Sequence, residues 1–149
     1  MKAAYFFILG TAILAGCHSN TMEGRIANAI RKSCKSDTCT IRIRNLTDFT
    51  WDKMYVFKYG ATREEINKAI GAPLEHYTEF TRKIIFVSGR KIVFSEEEKT
   101  NIEGLVDNEV VFDLLDTVNY RVYTVDQAVF RAREKPFDKG KYYELEQAK

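Results

Sequence analysis

Apolar positions at the start of the folded part of the chain recur with the period of a helix. Met22, Ile26 and Ile30 are four residues apart, with mainly polar residues between them. This spacing places the three side chains on one face of a helix. Asn20 or Thr21 precedes the segment, and both residue types are favoured as helix caps. The pattern therefore predicts an amphipathic helix that begins at Met22.

Farther along, the apolar positions alternate as they do in strands. Ile41 and Ile43 alternate with arginines, and residues 51–59 are rich in aromatic side chains. Ser88-Gly89-Arg90 separates two apolar segments, which predicts a hairpin with the glycine in its turn. The predicted strands are residues 41–43, 51–59, 83–87, 91–94, 109–115 and 119–133.

Residues 62–70 have the sequence signature of a short helix. Thr62 and Glu65 have the spacing of a capping box, in which each residue satisfies a backbone N–H of the other. Ile66 begins an apolar face, and Gly71 follows the segment as a glycine stop. We predict a helix of about two and a half turns here.

The order of these elements predicts an α+β fold. We expect an antiparallel sheet of about five to six strands, with the N-terminal helix and the short capped helix on one face. Residues 95–105 fit either a capped helical turn or a charged loop, and the polar residues from Glu134 onward are expected to fray. Residues 22–149 are expected to form a single α+β domain.

The first seventeen residues, MKAAYFFILGTAILAGC, have the layout of a bacterial lipoprotein signal. The apolar run from Ala3 to Leu14 is too short for a permanent membrane span. Small residues precede Cys17, as a signal peptidase requires. We predict that residues 1–16 are a signal peptide, that Cys17 becomes the lipidated N-terminus, and that residues 17–21 form a tether. An ordinary secretory signal, or a buried helix with a chance cysteine, is the alternative.

The lipid anchor determines the expected location. Several acyl chains hold a protein at a membrane almost irreversibly, because each buried methylene contributes about 0.8 kcal/mol. In bacterial lipoproteins, an Asp after the lipidated cysteine usually retains the protein in the inner membrane. His18 and Ser19 follow Cys17 here, so resemblance to that class implies the outer membrane, with the domain facing the periplasm.

Size and charge restrict the function classes that fit this chain. Removing 16 of the 149 residues leaves 133, enough for one domain with a core but not for two. The remaining 22 basic residues balance 21 acidic ones, so no positive surface for nucleic acid is indicated. We expect a membrane contact through the lipid anchor, no nucleic-acid partner and no cofactor.

Two cysteines remain after Cys17, and their spacing favours a disulfide. Cys34 and Cys39 have four residues between them, and the predicted compartment permits disulfides. Zinc binding is less favoured, because no second Cys or His pair completes a tetrahedral site. Free thiols are the other alternative. We predict a Cys34–Cys39 bridge and no metal site.

The sequence lacks the usual signatures of catalysis. Its two histidines are His18 and His76, and no nucleophile elbow, phosphate loop or metal-binding helix motif occurs. Carboxylates such as Asp113, Asp116 and residues 96–98 are close enough in sequence for acid–base chemistry. Acidic runs interleaved with lysine are more often solvated faces. We therefore expect that the protein is not an enzyme.

Trp51, Lys53 and Tyr55 are the candidate partner-binding residues. Strand alternation would place the three side chains on one face. Tryptophan and tyrosine are enriched in interface hot spots. The sole tryptophan of a small domain also commonly anchors the core, and the sequence favours that role for Trp51.

The short helix resembles part of a known family of envelope lipoproteins. Its spacing is similar to that of the small accessory lipoproteins of the outer-membrane barrel-assembly machine and related two-layer modules. The matching positions are Gly60, Thr62, Ile66, Ile70, Gly71 and Pro73. This resemblance implies a structural accessory of outer-membrane assembly.

A second resemblance covers about half of the mature chain. The segment TDFTWDKMYVF, followed by EEINKAIG and a short hairpin, is similar to a set of small bacterial lipoproteins. Some lipoproteins of this size are immunity proteins that neutralise antibacterial effectors in the periplasm. This resemblance implies binding and neutralisation of a protein partner, a secreted toxin, as the leading hypothesis. Outer-membrane assembly, and binding of a lipid or small ligand, are the alternatives.

Overall fold

The computed structural model describes residues 21–35, 38–99, 104–114 and 117–148. The described residues form two α-helices, one 3₁₀ turn and eight strands. In chain order these are α1 (Met22–Ser33), β1 (Thr38–Arg42), the 3₁₀ turn (Ile43–Leu46), β2 (Lys53–Phe57), α2 (Arg63–Ile70), β3 (Thr81–Ser88), β4 (Lys91–Lys99), β5 (Val110–Phe112), β6 (Tyr120–Thr124), β7 (Val129–Phe137) and β8 (Gly140–Gln147). The predicted α+β class is confirmed.

The strands form two four-stranded sheets rather than one sheet of five to six strands. The first sheet has the order β1-β7-β8-β5, and the second has the order β4-β3-β2-β6. Neighbouring strands are antiparallel in both sheets, except that β5 and β8 run parallel. The chain crosses from the second sheet to the first between β6 and β7, so β6 is left at an edge of the second sheet.

The main core lies between the inner faces of the two sheets and α1. Strand alternation turns every second side chain inward, so both sheets contribute large apolar residues to one cluster. Its fully buried members include Met22, Ile26, Ile43, Met54, Phe86, Val110, Phe130 and Tyr143. Met22 and Ile26 come from the predicted apolar face of α1, which is thereby confirmed.

A second apolar cluster covers the outer face of the second sheet. Tyr55 and Phe57 of β2 project to this face, where Ile66 of α2 packs against them. Strands β2 and β3 are therefore buried on both faces. This explains why β2 is continuously apolar after Lys53 instead of alternating with polar residues.

Both helices begin at the caps that the sequence predicts. The Thr21 hydroxyl accepts a hydrogen bond from the Gly24 N–H at 3.1 Å. In α2, the Thr62 hydroxyl accepts from the Glu65 N–H at 3.2 Å, and the Glu65 carboxylate accepts from the Thr62 N–H at 2.8 Å. Gly71 ends α2 with a φ of 75°, a conformation that glycine adopts without strain.

The C-terminal part of the chain departs from the sequence-based expectations. Strand β4 extends to Lys99, through residues expected to form a helical turn or a loop. The single strand predicted over 119–133 is two strands in different sheets, β6 and β7. Residues 134–137 and 140–147, which were expected to fray, are ordered in strands, because β8 pairs with Phe130–Phe137 of β7. Residues 100–103 and 115–116 lie outside the described residues.

Candidate functional site

The predicted lipidation site cannot be placed on the fold, whereas the predicted disulfide can. Cys17 lies outside the described residues. Cys34 and Cys39 lie at disulfide distance, with 5.1 Å between their Cα atoms. The pair joins the end of α1 to the start of β1. The bridge therefore fixes the direction in which the helix passes into the first sheet.

The three candidate partner-binding residues do not share one face. Trp51 is only 6% exposed and packs edge-on against Phe86 in the core between the sheets, with 5.0 Å between ring centroids. Tyr55 is 5% exposed and belongs to the outer cluster. Lys53 alone is exposed. The shared-face prediction is wrong because Trp51 precedes β2, outside the alternation of that strand.

A largely shielded cluster of charged side chains lies where α1 meets the second sheet. Arg82 of β3 contacts Glu23 of α1 at 2.8 Å and Glu109, just before β5, at 2.9 Å. One Arg82 Nη also donates to the backbone oxygen of Val110 at 3.0 Å. Together with two glutamates of β4, these residues form what we call the carboxylate cluster: Glu23, Arg82, Glu96, Glu98 and Glu109.

Within this cluster, Glu96 holds the first turn of α1 against β4. Its carboxylate accepts hydrogen bonds from the backbone N–H of Met22 and, at 3.2 Å, from that of Glu23. Unpaired N–H groups at a helix start attract negative charge. Glu96 is 73 residues from Glu23 in the sequence. The contact therefore joins α1 to a strand that is distant from it along the chain.

The carboxylate cluster contains four glutamates and one arginine, so its acidic groups outnumber its basic group. Burial is the main cause that raises the pKa of Glu23 to about 8, and the surrounding glutamates raise it further, while Arg82 opposes them. Burial also raises the pKa of Glu98, which shares a hydrogen bond with Glu96. These causes favour the protonated form of Glu98 and, more strongly, of Glu23.

The cluster corrects the expectation that residues 96–98 form a solvated acidic face. Glu96 is buried, and its register partner on β3 is Ile84, a core residue. The members of the cluster are scattered over more than 80 residues, so their meeting could not be seen in the sequence. The one local signal is that Glu96 and Glu98 are two residues apart, which puts both on one face of a strand.

A groove of about 840 Å³ lies on the opposite side of the second sheet, between α2 and β6. We call it the β6 groove. Its lining residues are Glu65, Lys68, Ala69, Val118, Asn119, Tyr120, Arg121 and Val122. Tyr120 is 37% exposed and Val122 is 44% exposed, two of the few large apolar side chains in the described residues that face solvent.

The floor of the β6 groove is held in place by aromatic packing. The Tyr120 ring lies 5.1 Å from the ring of Phe57 and 6.4 Å from that of Tyr55, between centroids. Asn119 donates to the Glu65 carboxylate at 2.9 Å, which ties β6 to the first turn of α2. The groove is therefore a formed feature with a fixed wall and floor.

The outer edge of β6 is open along the groove. The Thr124 N–H donates to the Gln127 side chain at 3.1 Å, so this residue turns its backbone away from β2. Asn119 turns toward β2, because its backbone oxygen accepts from Lys58. By strand alternation Tyr120 and Val122 face away from β2, and their N–H and C=O groups have no partner within residues 21–35, 38–99, 104–114 and 117–148.

The charged side chains around the groove are mostly cationic. Lys68 lines it, and Lys53 projects from the outer face of β2, opposite Thr124. Arg121 also borders the groove, but it alternates with Tyr120 and Val122, so its side chain leaves β6 on the inner face. None of these three cations makes an ion pair with a carboxylate in the described part of the chain. Glu65 is already held by Thr62 and Asn119, and these hydrogen bonds lower its pKa. The groove thus offers positive charge that is not neutralised.

Among the described residues Lys83 is the most deeply buried cation, and its contacts explain its position. Its Nζ donates to the Thr81 hydroxyl at 2.7 Å and to the Thr78 backbone oxygen at 2.8 Å. It lies 4.5 Å from the centre of the Tyr77 ring. Burial lowers the pKa of Lys83, and Glu97 at 3.8 Å opposes this. These internal contacts give Lys83 a structural role.

Comparison of the chain with protein families, with curated proteins and with solved structures found no match. Neither of the described helices has the length and apolar character needed to cross a membrane. Among the residues that the structure describes, no three or more His, Cys, Asp or Glu side chains are grouped to hold a metal ion.

His76 lies exposed between α2 and β3. Its exposure is consistent with a solvated loop residue.

Proposed function

We propose that this protein is a lipid-anchored binding protein of the bacterial envelope that neutralises a protein partner, in the manner of an immunity protein. The β6 groove is the observation that carries the proposal. It combines exposed apolar side chains, uncommitted cations and an open strand edge in one place. Such a combination is typical of protein-binding surfaces.

The N-terminal sequence supports the location. Cys17 follows a short apolar run and small residues, as in lipoproteins. An anchored inhibitor acts by occupying its partner's surface, so it requires a stable scaffold and an accessible groove rather than reactive groups. The two-sheet core and the packed floor of the β6 groove supply both.

A competition experiment tests the function. Cells that lack the gene should grow normally alone but die when mixed with sibling cells that deliver the cognate effector. Restoring the complete chain should restore survival. A mutant that instead leaks antibiotics without any attacker would identify an accessory of outer-membrane assembly and overturn the proposal.

A second experiment tests the anchor separately. Cys17→Ser removes the predicted acylation site, so incorporation of labelled palmitate should be lost. The matched control Cys34→Ser leaves Cys17 in place and should still incorporate the label. Labelling of the Cys17→Ser variant would show that the protein is not anchored through this residue.

A further inference from the structure

We infer that the partner docks on the β6 groove as an added strand, through an extended acidic segment that pairs with the open edge of β6. This inference rests on the proposed function, because it names the surface and the chemistry through which a partner would be recognised. Three independent features of the groove support it: its backbone edge, its apolar floor and its charge.

The backbone of β6 offers a template for pairing. Tyr120 and Val122 turn their N–H and C=O groups away from β2, and the two residues are about 7 Å apart along the strand. Pairing with an extended segment would satisfy four backbone groups at once. Proteins that recognise peptides by strand addition use this arrangement.

The floor of the groove determines which side chains the segment carries. Alternate side chains of an added strand would project to the same face as Tyr120 and Val122. On that face they would meet these two exposed apolar residues and the α2 wall at Ala69. The segment should therefore have apolar residues at every second position.

Charge complementarity determines its remaining character. Lys53 and Lys68 lie on the groove side of the sheet without an ion pair in the described part of the chain. The one carboxylate in the lining, that of Glu65, is held by Thr62 and Asn119. A segment with glutamate or aspartate at its ends would neutralise these cations, and a basic segment would be repelled.

The test uses the complete chain, purified in detergent, and three labelled nine-residue peptides. The first peptide alternates valine with serine and has a glutamate at each end. The second is identical but N-methylated at alternate amides, and the third has lysines in place of the glutamates. Fluorescence anisotropy should show saturable binding of the first peptide, and about tenfold weaker binding of the other two, equivalent to about 1.4 kcal/mol.

Variants of the protein test whether the glutamate peptide binds at β6. Val122→Pro removes an outward N–H that β2 does not use, so it should weaken binding of the glutamate peptide about tenfold. Val122→Thr keeps this N–H and should bind more tightly than Val122→Pro. Lys68→Glu should weaken binding several-fold, whereas Lys91→Glu, on the opposite edge of the same sheet, should leave it unchanged.

Several outcomes would overturn the inference. These are the absence of saturable binding, equal binding of all three peptides, or self-association of the chain that Val122→Pro abolishes, since a second copy would then occupy the edge. The N-methylated peptide leaves the protein unaltered, so the result does not depend on Val122→Pro folding. Survival of attacked cells carrying a folded Val122→Pro chain would reject this docking mode while leaving the proposed function intact.

Discussion

The two edges of the second sheet differ in where their polar groups lie and in what those groups contact. At the β4 edge, Glu96 and Glu98 turn inward, where Glu96 accepts hydrogen bonds from the start of α1 and Glu98 lies beside Glu96. At the β6 edge, Tyr120 and Val122 leave their outward backbone groups unpaired and their side chains exposed. The same sheet thus has inward-facing carboxylates at one edge and exposed apolar side chains at the other.

Because of this difference, we expect the β4 edge to affect mainly stability and the β6 edge to affect mainly binding. Buried charges that are satisfied internally are costly to disturb, because removing one partner leaves the others unpaired in a poorly solvated site. Exposed edge residues contribute little to folding but determine what the protein can pair with. Substitutions at the β4 edge should therefore change the free energy of unfolding, and those at the β6 edge should change binding.

The largest effect is expected from Arg82→Met. This change removes the only cation of the carboxylate cluster and should lower the free energy of unfolding by about 3 kcal/mol, measured by urea denaturation. Arg121→Met is the matched control, because Arg121 is a half-buried arginine of the same sheet that makes no ion pair in the described residues. Equal losses in the two variants would contradict the contrast between the edges.

A smaller effect is expected from pH. The pKa of Glu23 is about 8 in the fold against 4.5 for an ordinary glutamate, so the folded state binds this proton more tightly. The resulting stability is fully present below about pH 4.5 and is lost as the pH rises through about 8. We expect the free energy of unfolding to fall by about 2 kcal/mol between about pH 6 and 8.

Glu23→Gln tests the assignment of this pH dependence. The amide cannot ionise, so the variant should show a flatter curve of stability against pH over the same range. Glu64→Gln, at an exposed position of α2, should keep the wild-type slope. A slope unchanged in Glu23→Gln would place the titrating group elsewhere.

The smallest effect is expected from Thr62→Ala at the start of α2. It removes a local cap beside the β6 groove and should cost about 1 kcal/mol, measured by urea denaturation. The loss should not depend on pH between about 5 and 8, since the carboxylate cluster lies at the other edge. A loss as large as that of Arg82→Met would show that α2 is as important to folding as the cluster.

Local signals in the sequence predicted the elements that depend on neighbouring residues. The caps at Thr21 and Thr62, the stop at Gly71 and the hairpin at Gly89 each involve residues a few positions apart. Hydrogen bonds over such distances depend on residue type and spacing, which can be read directly. The N-terminal helix and the short helix were accordingly placed well.

Features that depend on distant residues could not be predicted in the same way. The division into two sheets follows from the pairing of β1 with β7, whose paired residues are 87 to 95 positions apart in the sequence. β8 was missed because its lysines and glutamates face neighbouring charged residues on β7, with which they form ion pairs. Such a strand has the composition of a solvated tail, and only its partner makes it a strand.

The same contrast between local and distant interactions applies to the candidate site. Residues 119–133 were predicted to be a strand from the alternation of Tyr120 and Val122. That this strand ends a sheet depends on the crossing between sheets after Thr124. Lys53 was selected from the sequence together with Trp51 and Tyr55. Only Lys53 is exposed, because it is the first residue of β2 and precedes the part of the strand that is buried on both faces.

The contact between Glu96 and the start of α1 also determines how an anchored domain would be oriented. It fixes Met22, the point at which the chain from Cys17 enters the fold, beside β4. The β6 edge lies three strand spacings away across the sheet, roughly 14 Å. If the protein is anchored through Cys17, its tether would therefore join the fold at the margin of the second sheet that lies opposite the β6 groove.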